Sequence, residues 1–170
     1  MAALSSGRNT QSKGNAEHLG PFPVEAATVV YTGSIVAVDD NGLAVPAQAK
    51  TGTTPFVGVP IVVGVMNNVV DGEIPQDAHN VSGYPMIPAP ANLGSASAIS
   101  IEVLDGIFLF DNDTTNAVTQ ATVGKVVFAV NDHTVGTSDL TTTLPAVGTV
   151  VGINALGVWV DTRKKTTPTA

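Results

Sequence analysis

Asp111-Asn112-Asp113 opens like a calcium loop, in which alternating acidic and amide oxygens line a cation. The glycine, the further acid and the distal glutamate that complete such a loop do not follow, and the same residues fit a turn whose short polar side chains bond their own backbone. His18, His79 and His133 are far apart in the chain, and none belongs to a spaced ligand pair such as H-E-x-x-H, so each reads as a turn or surface residue. Nucleophilic catalysis needs a serine beside a histidine with an acid to orient it. Ser82-Gly83 near His79 and Asp77 is the nearest approach, without a G-x-S-x-G turn. Gly58 and Gly64 lie inside β-branched runs with no helix after them, so neither builds a phosphate cradle. There is no cysteine for disulfides or thiolate sites. The residues predict no catalytic constellation, no metal and no cofactor: not an enzyme.

The elements that would position any site are short strands. Residues 99–134, closed by a late strand at 155–160, form the framework. Ile101 and Val103 precede Asp105-Gly106, Ile107 to Phe110 follow it, and Asp-Gly is a hairpin signal, so a strand, a tight turn and a second strand are expected. A third strand is expected at Lys125–Val130, and a last hairpin around Asn154-Ala155 carries Trp159, the sole tryptophan, as a core anchor. Earlier, Val29–Tyr31 and Ser34–Val38 are β-branched runs, and Asp39-Asp40-Asn41-Gly42 is a strong turn into Leu43–Pro46. Pro60 breaks the apolar run 56–65 and marks an edge or bulge there. Residues 71–93 hold Pro75, Pro85, Pro88 and Pro90, which make them an irregular excursion anchored on a neighbour or on the chain's own core. No amphipathic helical period of three turns occurs. The fold class read from this pattern is all-β, a compact β-sandwich or barrel, with an extended N-terminal arm at 1–22, a β domain at 23–161 and a basic C-terminal tail at 162–170.

Of the 170 residues, 44% are hydrophobic but only 5% aromatic, and 12% are charged. Valine, alanine and isoleucine suit thin sheets better than a large ligand cavity. A surface of hydroxyls, amides and short apolar groups is typical of shells and fibres that pack against neighbours. The net charge of −7 hides a split, because residues 14–162 keep only Lys50 and Lys125 against all fourteen acids, a net of −12. Arg8 and Lys13 lie in the arm, and Arg163, Lys164 and Lys165 in the tail. An acidic body repels nucleic acid, whereas basic ends dock on acidic neighbours. No continuous apolar stretch approaches a membrane span or a signal-peptide core, so a soluble species is expected, with no membrane and no direct nucleic-acid partner.

Several of these segments resemble a family. Gly106-Ile-Phe-Leu-Phe110 with Asp111-Asn112 corresponds to a G-V-F-x-F-x-N run. The segment from Val123-Gly124-Lys125 to Asn131-Asp132-His133-Thr134-Val135 corresponds to G-K-x-x-x-x-V-x-D-x-T-V. Ala146-Val-Gly-Thr-Val-Val-Gly152 and Gly157-Val-Trp-Val160 correspond to A-G-x-V-V and a terminal G-V-W-V, and Tyr31 to Asp39, before Gly42, resembles Y-x-G-x-L-V-x-x-D-x-x-G. In that order, over about two-thirds of the chain, these motifs are similar to the small proteins encoded beside the major capsid protein in tailed phages and Mu-like prophages. The resemblance implies a capsid decoration or cement protein that binds the outer shell of a phage head and braces it. Another β-rich virion part, such as a head fibre or tail protein, is the alternative. It further implies the major capsid protein as partner and a homo-oligomer, a trimer first and a dimer second, on the capsid exterior, assembled in the host cytoplasm. The contact residues expected on that reading are Arg8, Asn9, Thr10 and Lys13 of the arm, Tyr84, Met86 and Ile87 of the excursion, and Arg163, Lys164 and Lys165 of the tail.

Overall fold

Along Ser100–Asn112 the buried side chains change face. Ile101 and Val103 pack with Val24, Val36 and Ala44, whereas Phe108 and Phe110 pack with Val127, Val135, Val147, Val158 and Val160. Side chains alternate across a strand, so odd positions up to 103 and even positions from 108 point to opposite faces. One strand therefore feeds two cores.

The computed structural model describes residues 3–5, 8, 10–25, 28–39, 41–47, 61–69, 86–88, 100–138 and 144–163. Its strands are β1 (Ser12–Pro23), β2 (Val29–Tyr31), β3 (Ile35–Val38), β4 (Ala44–Pro46), β5 (Ile61–Val69), β6 (Met86–Pro88), β7 (Ser100–Asn112), β8 (Val126–Ala129), β9 (Thr134–Gly136), β10 (Ala146–Asn154) and β11 (Gly157–Asp161). A single 3-10 turn at Gln120–Thr122 is the only helical element among the described residues. No helix there is long and apolar enough to cross a membrane.

The second half of β7 belongs to a closed five-stranded barrel: β7 pairs with β11, β11 with β10, β10 with β8, β8 with β9, and β9 returns to β7 in parallel. Small β-branched side chains fill so narrow an interior. Phe108 and Phe110 are its largest side chains, their rings tilted at 45° with centroids 6.4 Å apart. The first half of β7 is flanked instead by β1 on one edge and β5 on the other, and β5 continues through β3 to β4. A parallel bridge from Val24 to Ala44 brings the end of β1 back against β4, around the smaller core. The β3–β4 hairpin divides its side chains between the cores, Ile35, Ala37 and Val45 with the barrel, Val36 and Ala44 with the second.

Asp105-Gly106 lies in the middle of β7 and makes no turn, contrary to the sequence expectation. The reason is tertiary. On one edge β1 pairs on both sides of it, at Leu104 and Ile107. On the other, the gap between β5 and β11 is filled by Thr162, just beyond β11. Its N–H donates to the Gly106 carbonyl at 2.8 Å. Its fully buried hydroxyl accepts from the Gly106 N–H at 3.0 Å and donates to the Asp105 carboxylate. The glycine is needed for a different reason, since a Cβ on residue 106 would meet the Ala16 Cβ on β1 at 3.1 Å.

Other expectations fare variously. The β3–β4 hairpin forms around the Asp39 turn, where the Asp39 carboxylate accepts from the N–H groups of Asn41 and Leu43. The last hairpin forms with its turn at Ala155-Leu156, and Trp159 is 7% exposed. β5 starts directly after Pro60 and is a central strand, paired on both edges. The arm expected at 1–22 is not separate from the domain, because Ser12–Pro23 is a strand on β7. Within the 71–93 excursion, Met86–Pro88 pairs with β2 of the same chain, and the rest lies outside the described residues.

Replacing Thr162 by valine strands a buried N–H and a buried carboxyl, and is expected to lower unfolding free energy by about 1–3 kcal/mol in urea titrations. Thr162→Ser should retain most of the wild-type value. Equal stability of the valine variant would show that the hydroxyl is not what joins the two halves of β7.

Candidate functional site

The polar residues that converge do so where the N-terminal segment leaves β7. The Leu109 N–H donates to the Gln11 carbonyl at 2.9 Å, after which the segment departs from strand pairing. The Thr10 hydroxyl donates to the Gly33 carbonyl at 2.5 Å and the Arg8 N–H to the Thr32 carbonyl at 2.9 Å. Gly33 has φ +79°, and a Cβ there would overlap the Arg8 carbonyl, so this crossing requires glycine in the turn before β3.

Two carboxylates receive the segment. The Arg8 guanidinium makes a bidentate pair with Asp111, at 3.2 and 3.1 Å. The Leu4 N–H faces both oxygens of Asp132, at 3.0 and 3.2 Å. His133 sits between these carboxylates, with Nδ1 2.9 Å from Asp132 and Nε2 3.8 Å from Asp111. The loop between β8 and β9 holds them in place. Asn131 Oδ1 accepts from the N–H groups of His133 and Thr134, the Asp132 carbonyl accepts from the Ile35 N–H at 2.6 Å, and the His133 carbonyl accepts from the Asp111 N–H at 3.0 Å. The Asp132 side chain is 3% exposed and that of Asp111 42%. The first is thus a desolvated acceptor set, and the second is half open to water and contributes less. The chemistry of this site is capture of a peptide: carboxylates accept from a backbone N–H and a guanidinium.

The same segment reaches over the barrel. Lys13 pairs with Ile107 on one edge of β7 and Trp159 with Leu109 on the other. The Lys13 ammonium lies 3.9 Å from the centroid of the Trp159 ring, a cation–π contact across the strand. At the opposite terminus Arg163 Nε donates to Asp161 at 2.8 Å. That hydrogen bond, then the Coulombic attraction of the same carboxylate, raises the proton affinity of the guanidinium above its ordinary value.

Of the contact residues expected from the sequence, Arg8, Thr10 and Lys13 are brought together, each on a partner in its own chain. Arg163 pairs with Asp161, which lies opposite Ile107 on the other edge of β7 from Lys13. Only the backbone of Met86 and Ile87 is described, paired with Tyr31 and Val30. Asn9, Tyr84, Lys164 and Lys165 lie outside the described residues, as do His79, Ser82 and Asp77. In the calcium-like triplet, Asp111 takes Arg8. Asn112 exchanges two bonds with Val118, each of 2.8 Å, and Asp113 accepts from the Asn116 N–H at 2.7 Å. His18 faces Glu102 at 3.3 Å on the exposed side of β1. Among the described residues no group of three or more histidine, aspartate or glutamate side chains is placed to hold a metal. What sequence reasoning missed was the role of Asp111, Asp132 and His133 as the seat of the arm. The signal was present in the charge split, read there as attraction to a neighbour.

No protein-family model, no curated protein and no solved structure matches this chain.

Asp132→Ala removes the acceptor of both Leu4 and His133 and is expected to cost about 1–3 kcal/mol, whereas Arg8→Ala, at a half-solvated pair, should cost under about 1 kcal/mol. Both should speed amide exchange over residues 4–13 without changing it in β11. An Arg8 variant costing as much as the Asp132 variant would reverse the assigned ranking.

Proposed function

We propose that this chain is a structural subunit of a phage head, a decoration or cement protein that binds the outer shell through the major capsid protein. The observation that carries this reading is where the family-like motifs fall. The segments around Gly106–Phe110, Val123–Val135, Ala146–Gly152 and Gly157–Val160 contain the stretch of β7 that enters the barrel and all of its other strands, β8, β9, β10 and β11. Four of the five motifs thus coincide with one closed folding unit, and the fifth, Tyr31 to Asp39, falls on β3 beside it.

Two further features support it. β1 is a twelve-residue edge strand, mostly exposed, and its outer backbone edge has no partner strand among the described residues. Such an edge serves for strand addition by a neighbouring subunit. Lys13, Glu17, Pro21 and Pro23 guard it against indiscriminate pairing, which favours a specific partner. The strongly acidic body and the hydroxyl-rich surface suit attachment by area, with many weak contacts summed over several capsid subunits. A trimer, or else a dimer, around a local symmetry axis follows from that mode of binding.

The test is to mix purified protein with expanded, emptied heads and sediment them. Saturable co-sedimentation and a rise in the temperature at which the heads break are expected. Absence from heads together with recovery on tails or fibres would overturn the reading in favour of another virion part.

A further inference from the structure

Asn41-Gly42 is the only asparagine–glycine pair in the chain, and it lies exposed in the turn that joins β3 to β4. A glycine after asparagine leaves the next main-chain nitrogen unshielded, so that it can attack the asparagine side chain. Gly42 has φ +80° and open space where a Cβ would stand, and nothing crowds that approach. What holds the pair is Asp39. Its carbonyl accepts from the Gly42 N–H at 3.0 Å. Its carboxylate accepts from the Asn41 N–H at 2.9 Å, the Leu43 N–H at 2.8 Å and Asn41 Nδ2 at 3.1 Å. We propose that Asn41 is a site of spontaneous deamidation, kept shut in the folded hairpin by Asp39, and that its product loosens the β3–β4 turn.

The reaction consumes only water. The Gly42 nitrogen gives its proton to solvent base and attacks Asn41 Cγ. The N–Cγ bond forms, the Cγ–Nδ2 bond breaks, and ammonia leaves behind a succinimide. Water then adds to either imide carbonyl. It yields aspartate when the Gly42 nitrogen departs from Cγ, and isoaspartate when that nitrogen departs from the Asn41 main-chain carbonyl carbon. Asp39 opposes the first step in three ways. The proton to be lost is held by its carbonyl, the amide to be attacked is tied to its carboxylate, and the negative charge that builds on the Asn41 side-chain oxygen lies beside that carboxylate. The reactive conformer must give up these hydrogen bonds. Asp105-Gly106 is closed by other means, since the Gly106 nitrogen donates to Thr162 within a strand.

Either product alters the turn. Aspartate at position 41 exchanges the Nδ2 donor for a second carboxylate against Asp39. Isoaspartate adds a methylene to the main chain before Gly42, so the Gly42 and Leu43 N–H groups no longer both reach Asp39. The hairpin feeds both cores, Ile35, Ala37 and Val45 in the barrel and Val36 and Ala44 in the second. A loosened turn is therefore felt in the packing on either side of β3.

The test uses the isolated full-length protein and no phage head, so its outcome is independent of the capsid reading. Peptide mass spectrometry follows the amide-to-acid mass gain at residue 41, and the separately eluting isoaspartate peptide, at slightly alkaline pH with and without guanidinium chloride. Conversion in the native protein should be about tenfold slower than in the unfolded one, the worth of one hydrogen bond to a charged group. Asp39→Ala should recover most of the unfolded rate while the β10 and β11 amides stay protected from exchange. Asp39→Asn, which keeps an acceptor oxygen and loses the charge, should fall between; if the alanine variant does not fold, this variant and the native-to-unfolded ratio decide. Asn41→Asp should lower the denaturation midpoint, and adding Asp39→Asn should restore part of it. Equal rates in native and unfolded protein, or wild-type rates in a folded Asp39 variant, overturn the lock. An Asn41→Asp midpoint equal to that of the wild type overturns the loosening.

Discussion

The constraint on which the rest depends is that β7 keeps both backbone edges paired while its side chains change face. A strand shared by two cores has a point where the sheet must curl the other way, and at that point neighbours on one edge part. Here they part between β5 and β11, and Thr162 fills the opening with a backbone N–H and a hydroxyl. An unpaired Gly106 N–H inside the protein would cost about as much as a lost hydrogen bond plus its desolvation. The threonine therefore ties the last strand of the barrel to the place where the second core begins. Both cores are built mainly from valine and alanine, with Phe108, Phe110, Ile35 and Ile101 as the larger side chains.

This arrangement explains what could be read from the sequence and what could not. Strands with a local turn signal were legible: Asp39 to Gly42 forms the β3–β4 turn because the Asp39 side chain satisfies the turn's own N–H groups within four residues. Trp159 was legible as a buried strand residue but not as a core anchor, because alternation puts it on the face opposite Val158 and Val160, which line the barrel, and Lys13 covers its ring. Asp105-Gly106 carries an equally strong local signal but is overruled by β1, β11 and Thr162, all of them more than fifty residues away from it or on the far side of a bulge. Local chemistry names a turn only where long-range pairing leaves it free to form. Pro60 was legible as a boundary, but whether the strand after it is central depends on β7 and β3, which no local pattern specifies.

The site was half legible. The charge split marked Arg8 and Lys13 for docking on an acidic neighbour; within the chain Arg8 meets Asp111 and Lys13 the ring of Trp159. Which acids they meet was hidden, because Asp111 and Asp132 are brought beside each other only when β9 lies parallel to the end of β7. Asp111-Asn112-Asp113 drew attention for its resemblance to a metal loop, yet its three side chains go to three different tasks. One captures the arm, one bonds the Val118 backbone, and one closes the turn at Asn116. A string of short polar residues in a strand end shows capacity for hydrogen bonding, and the fold decides who receives it.

The choice of polar contacts for the arm has a physical consequence of its own. A segment fixed by burying leucines would add stability but would separate from the body only with the cost of exposing them. Leu4 instead docks through its backbone, Arg8 through a half-solvated ion pair, Thr10 through one hydroxyl and Lys13 through a ring face. Exposed ion pairs of this kind are each worth little, and only the buried Asp132 acceptor is expected to be strong. Such a set is cooperative along the segment, because loss of one contact lowers the effective concentration of the next. The body beneath it is a closed barrel whose strands do not depend on the segment. A closed unit with a polar edge thus divides its work between a valine interior that sets the fold and a charged terminus that fixes one edge.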